Sequence, residues 1–195
     1  MERKNYKYVV LAVLVGMVVF TPVGGVLLDK IVAPITYSAF FNVTESPYGL
    51  EETTARIQAN IQELSHKGWK LSGLRSPSKA VEAAGGNTLP VFLVEACSTD
   101  YSGPLLKLDK TRIFSIMMPC TITVYKNDDG KIYIGQLNAE VMKLFFGVEA
   151  APILQAVADD QAEMVNWKER EVPPPLIRTR PGGGGGSSGA DTGGC

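Results

Sequence analysis

The sequence predicts an α+β protein: one N-terminal transmembrane helix, then a compact domain with a largely antiparallel sheet and packing helices, then a disordered Pro/Gly-rich tail. Three observations predict this order. Val9 to Leu28 is a run of twenty uncharged, mostly apolar residues behind a basic start. From Leu50 to Val165, stretches with helical apolar spacing alternate with short β-rich runs. Beyond Val172, Pro and Gly take over and apolar side chains almost vanish. The expected boundaries are 1–7 for a cytoplasmic N-terminus, 8–29 for the membrane helix, 30–41 for a linker, 42–170 for the domain and 171–195 for the tail.

At ~1.5 Å per residue the apolar run spans about 30 Å, the thickness of a bilayer's hydrocarbon core. A cleaved export signal would share the basic start but would have a shorter apolar core and a small-x-small cleavage site. No Ala-x-Ala appears before Asp29, so the run reads as an uncleaved anchor. Pro22, Gly24 and Gly25 should loosen its outer third. Arg3, Lys4 and Lys7 precede it, whereas only Lys30 follows before Arg56. That imbalance keeps the N-terminus in the cytoplasm and sends the domain outward, in a bacterium from the inner (cell) membrane into the periplasm.

Leu50 to Leu64 places apolar residues at helical spacing, with Glu51 and Glu52 in the first turn. His66 and Lys67 close that helix, and Gly68 sits where a left-handed cap is wanted. Trp69 to Leu74 alternates as a strand, and Lys79 to Ala84 is a short helix ended by Gly85-Gly86. Leu89 to Cys97 is a β-rich apolar run suited to a central strand. Tyr101 to Asp109 reads as a short helix after Gly103-Pro104. Ile113 to Met118 and Thr121 to Lys126 read as β segments, and Asn127-Asp-Asp-Gly130 turns the chain into a returning strand from Lys131 to Leu137. Asn138 can cap a helix through Phe146, and Pro152 opens a final helix carrying Ile153, Leu154, Val157, Met164 and Val165.

The chain has 195 residues, 45% hydrophobic and 20% charged, with a formal net charge of -1. Without anchor and tail, roughly 125 residues remain, enough for one domain with its own core. Near-neutral charge with scattered Lys and Arg argues against a nucleic-acid partner. Val172-Pro-Pro-Pro175 favours an extended polyproline path, and Gly182 to Gly186 a flexible coil. Such a tail could lie along a partner's surface.

A resemblance rests on particular residues. Leu50-Glu-Glu-Thr-Thr with Lys67-Gly68-Trp69, Val91-Phe92 leading to Cys97, Met118-Pro119-Cys120, and Val124-Tyr125-Lys126 running through Gly130-Lys131-Ile132-Tyr133 together resemble the family catalogued as domain of unknown function 302. The likeness covers Phe41 to Trp167. It implies a small α+β domain, often dimeric and in some members fused to a membrane anchor, with no established reaction.

Cys97 and Cys120 are the leading site candidates, each at the end or start of a β segment. They could form a disulfide in an oxidising compartment. A second reading has both as buried, reduced thiols. As a third reading, Met117 or Met118 could complete a soft-metal site for copper. Adjacent methionines point to opposite faces of a strand, so only one could join. Cys195 ends the chain on Gly-Gly and could pair with another molecule.

His66, the single histidine, reads as a surface residue complementing a helix end rather than a base. Asp128 and Asp129 are what a hairpin turn needs. Asn42-Val-Thr44 fits a glycosylation pattern that carries no meaning in a prokaryote. No haem, paired-histidine or phosphate-loop motif and no nucleophile–base pair is legible, so neither a cofactor nor an enzyme is expected.

The functional expectation is a non-catalytic single-pass membrane protein, an accessory or stabilising subunit of a larger membrane complex such as an electron-transport or photosynthetic one. Its partners would be the lipid bilayer and other membrane subunits, with a homodimer through the domain as a further option. Gly16 and Gly24-Gly25 would allow close helix approach. The alternative is a periplasmic redox or soft-metal-binding module built on Cys97 and Cys120.

Overall fold

A computed structural model of the protein describes residues 33–144, 146–169 and 171–176. The chain divides between Phe40 and Phe41 into two units. The described part of the first is a helix, α1 (Ala33–Phe40). The second begins with strand β1 (Phe41–Ser46), followed by helix α2 (Leu50–Glu63) and a 3-10 turn (Leu64–Lys67). Strand β2 (Trp69–Arg75), helix α3 (Pro77–Ala83) and strand β3 (Val91–Ser98) come next. Helix α4 (Thr99–Lys107) and a second 3-10 turn (Arg112–Met117) lead into the hairpin of β4 (Cys120–Lys126) and β5 (Ile132–Leu137). Helices α5 (Ala139–Met142) and α6 (Gly147–Met164) complete the fold.

The five strands form one antiparallel sheet in the order β1-β5-β4-β3-β2. Val94 lies opposite Ile122, Ala96 opposite Cys120, and Val124 opposite Ile134. Because side chains alternate between faces, this register gathers Phe92, Val94, Ala96, Ile122, Val124 and Ile134 on one side. There they pack with Ile57 and Ile61 of α2 and Val157 and Met164 of α6. The end of α6 is held from α2, where Asn60 Nδ2 donates to the carbonyls of Met164 (2.9 Å) and Asn166 (3.0 Å). The Met164 carbonyl is among the acceptors a helix end leaves without an internal partner.

Gly68 closes the first 3-10 turn with φ 72°, its N–H donating to the Ser65 carbonyl at 3.0 Å. A Cβ there would come within 2.7 Å of the Asp100 carboxyl carbon. Left-handed backbone disfavours any Cβ by about 1 kcal/mol, and Asp100 would also have to swing aside. Gly68→Ala should therefore destabilise the domain by about 1–2 kcal/mol, read as a lower urea midpoint with an unchanged slope.

Several sequence expectations change. The stretch read as a linker holds α1, and Phe41 already begins β1, an edge strand too short and polar to show a clear alternation. Ile113 to Met118 is a 3-10 turn, not a strand. Thr111 Oγ1 donates to the Leu105 carbonyl at 2.6 Å and anchors the turn. Spacing by three then sends Phe114 and Met117 into one apolar cluster. Helix α5 stops at Met142 rather than Phe146, and α6 starts at Gly147, so Pro152 lies inside it. The polyproline segment is not free of the domain, since the Leu176 N–H donates to Gln58 Oε1 of α2 at 2.8 Å. The expected anchor, residues 8–29, and the Gly-rich coil lie outside the described residues. Among those described, no helix is long and apolar enough to cross a membrane.

Candidate functional site

The register separates the two central cysteines. Cys120 pairs with Ala96 and shares its face of the sheet, so Cys97, the next residue along, points to the other face. Cys120 is a free thiol. The expected Cys97–Cys120 disulfide is therefore not formed, and a metal site using both sulfurs is not assembled. Cys195 lies outside the described residues.

Cys120 instead opens into a cavity of about 230 Å³ where β4 meets the second 3-10 turn. Ile116 and Met117 of the turn form one wall. Leu137 and Met142 form a second, and Leu154, Val157 and Gln161 of α6 a third. Met118 is not among the lining residues; it packs in the cluster of Leu105, Phe114 and Leu154. Burial among apolar groups pushes the Cys120 thiol up to about 11, so at neutral pH it carries its proton. A protonated thiol is a weak nucleophile and a weak hydrogen-bond donor.

Two amides stand out here. Gln161 is 5% exposed and lines the cavity, yet its side-chain amide has no partner among the described residues. Gln136 lies opposite Ile122, one step along the same face from Cys120, and its Oε1 is buried without a hydrogen bond. Native interiors leave few such groups unsatisfied.

A second constellation surrounds Asp160, which is 1% exposed. Its carboxylate accepts from Trp69 Nε1 at 2.7 Å, Tyr101 Oη at 2.8 Å and Lys67 Nζ at 2.6 Å. Burial alone would push this carboxyl up; the three donors overcome that and hold it below the usual carboxylate range. The same contacts hold Lys67 well above its ordinary value. Burial, then the bond to Asp160, carries Tyr101 up to about 12. Both oxygens are engaged, Oδ1 by Lys67 and Oδ2 by Trp69 and Tyr101, so the cluster acts as a latch joining β2, α4 and α6.

An exposed apolar end adjoins the cavity. Phe114 and Phe146 meet edge to face with centroids 4.5 Å apart. Their chain neighbours Ile113, Ile116, Leu144 and Val148 project outward, Ile116 at 83% and Val148 at 89% exposure. Charges of both signs are interspersed nearby, among them the Lys110–Glu149 and Arg112–Asp109 pairs.

The remaining candidates take structural places. His66 is exposed and its Nδ1 contacts the Glu63 carbonyl at 2.9 Å. Asp129 accepts from the Lys131 N–H (2.9 Å) and the Tyr133 hydroxyl (3.0 Å), stitching the hairpin, and these bonds hold its carboxyl low. Asn42 and Thr44 are exposed on β1. Sequence reasoning missed Met142, Asp160 and Gln161. A signal for Asp160 was present: it stands three residues after Val157 and four before Met164, on the apolar stripe of α6.

One antiparallel sheet with helices packed on it, and a small apolar cavity at one end, define a small α+β domain. The chain belongs to the family described as Domain of unknown function DUF302, whose profile matches residues 42–166. Among solved structures it is similar to the uncharacterized conserved protein DUF302 from Bacillus stearothermophilus. The two share 17% identity and a TM-score of 0.55, over 65% of this chain and 95% of that one. At that identity the likeness speaks to the fold. No curated protein matches the chain.

Proposed function

We propose that the protein is a non-catalytic, membrane-anchored accessory subunit whose domain docks on another polypeptide of a larger membrane complex. The observation that carries this reading is the apolar end formed by Ile113, Ile116, Leu144 and Val148 around the Phe114–Phe146 contact. Grouped side chains of this kind, exposed in water, mark an interaction surface. The rim decides between occupants. Lys107, Lys110, Arg112 and Lys143 are interspersed with Asp109, Glu140 and Glu149, where an anionic bilayer would select a uniformly basic collar. Apolar centre and mixed polar rim are the anatomy of a protein–protein interface. The twenty-residue apolar run at Val9 supports placement at a membrane, and the satisfied Asp160 latch supports a scaffold role.

The test is gentle extraction of the full chain from its membrane, followed by native mass measurement. The wild-type chain should migrate within a larger assembly. The double variant Ile113→Glu, Val148→Glu should lose about tenfold or more of its co-purifying partner while keeping its thermal midpoint, because both positions face solvent. A wild-type chain recovered as a lone monomer or simple dimer would overturn the proposal.

A further inference from the structure

The cavity beside Cys120 is larger than an apolar hole needs to be if it serves packing alone. A cavity of about 150 Å³ lined by Leu, Ile and Phe admits benzene, and this one measures about 230 Å³. No ionised side chain stands among its walls, and a charge placed there would lose several kcal/mol of hydration without compensation. Beside the Cys120 thiol and the Thr121 hydroxyl, which donates to the Pro119 carbonyl at 3.4 Å, the walls offer an amide. Gln161, a residue 5% exposed on α6, brings that amide to the cavity wall, where it has no hydrogen-bond partner among the described residues.

We propose that this cavity binds a neutral, largely apolar ring molecule bearing one carbonyl oxygen, which accepts a hydrogen bond from the Gln161 amide while Met117, Met142, Leu154 and Val157 enclose the ring. Methionine suits such a wall, since its flexible thioether adapts to the shape of an aromatic guest. The site is separate from the docking surface in its chemistry, although Ile116 borders both. It binds by burial and one directed hydrogen bond, and no covalent step is involved.

The experiment uses the full chain in lipid nanodiscs, with empty nanodiscs as the control, and 2-acetylnaphthalene as probe. Methyl-labelled methionine spectra should show saturable shifts at Met117 and Met142, with Met164 in the main core unmoved. Gln161→Leu should weaken 2-acetylnaphthalene about tenfold and leave 2-ethylnaphthalene, which lacks the carbonyl, unchanged. Ile113→Ser with Val148→Ser should leave binding intact, whatever it does to complex assembly. That outcome separates the cavity from the docking surface.

The inference is overturned if no saturable shift appears, if Gln161→Leu weakens both probes equally, or if the surface variant abolishes binding. It is also overturned if copper(I), added alone at one equivalent, binds and shifts Met117 and Met142 while neither naphthalene does. Cavity walls unsettled by the Leu substitution do not confuse the reading, because the wild-type methionine shifts require no variant.

Discussion

Asp160→Ala should cost the domain about 3–5 kcal/mol, the range found when one member of a buried charged cluster is removed and its partners remain. The carboxylate receives Trp69, Tyr101 and Lys67, donors supplied from β2, α4 and the turn before β2. Truncation leaves the Trp69 N–H inside the core with no acceptor, and an unsatisfied buried donor is penalised more than its bond was worth. Small domains hold about 5–15 kcal/mol in total, so about a fifth or more of the stability would go. Urea denaturation at neutral pH measures it, and a loss under about 1 kcal/mol would mean that the latch is ornamental.

The same cluster sets a pH dependence. Asp160 has a folded-state pKa below its ordinary value. Its contribution is therefore complete above about pH 4 and is lost as pH falls through the depressed value. Asp160→Asn should flatten this acid limb while the wild-type chain loses stability there. At the alkaline end the raised groups act in the opposite sense. The stability from Lys67 and Tyr101 is present below about pH 10 and fades as pH rises through their elevated folded values, about 12 for Tyr101.

The segments that were legible in the sequence are those where local chemistry and tertiary burial agree. Ile57, Ile61 and Leu64 repeat at helical spacing and all three are buried. Gly68 stands where a left-handed cap is required and adopts φ 72°. The Asn127 to Gly130 turn closes its hairpin with Gly130 at φ 84°. Legibility failed where contacts distant in sequence decide the shape. Ile113 to Met118 has β-rich composition, but the Phe114–Phe146 contact, made by residues far apart along the chain, together with the local Thr111 anchor, winds it into a 3-10 turn. The candidate site failed for the same reason. Cys97 and Cys120 look alike from their strand-end positions, and only the register, with Ala96 opposite Cys120, puts them on different faces. Gln161 stands four residues after Val157 and three before Met164, on the same stripe as Asp160, but an amide there looks like any solvated residue until its burial is known.

A contrast between isoleucines tests which apolar residues hold the fold and which are left for a partner. Ile61 is fully buried among Phe92, Val124 and their neighbours, where α2 crosses the sheet. Ile61→Ala removes its transfer free energy and leaves a cavity that close-packed neighbours fill only in part, a loss of about 2–5 kcal/mol. Ile113, at 66% exposure, gives up little contact when truncated. Ile113→Ala should stay within about 0.5 kcal/mol of wild type, measured in the same urea series. A surface isoleucine kept only for stability would show a destabilisation approaching that of Ile61. If Ile113→Ala leaves stability untouched but releases the chain from its assembly, then the apolar end is held in water for a surface outside this domain. If both variants unfold alike, the end belongs to the core and the docking proposal fails with it.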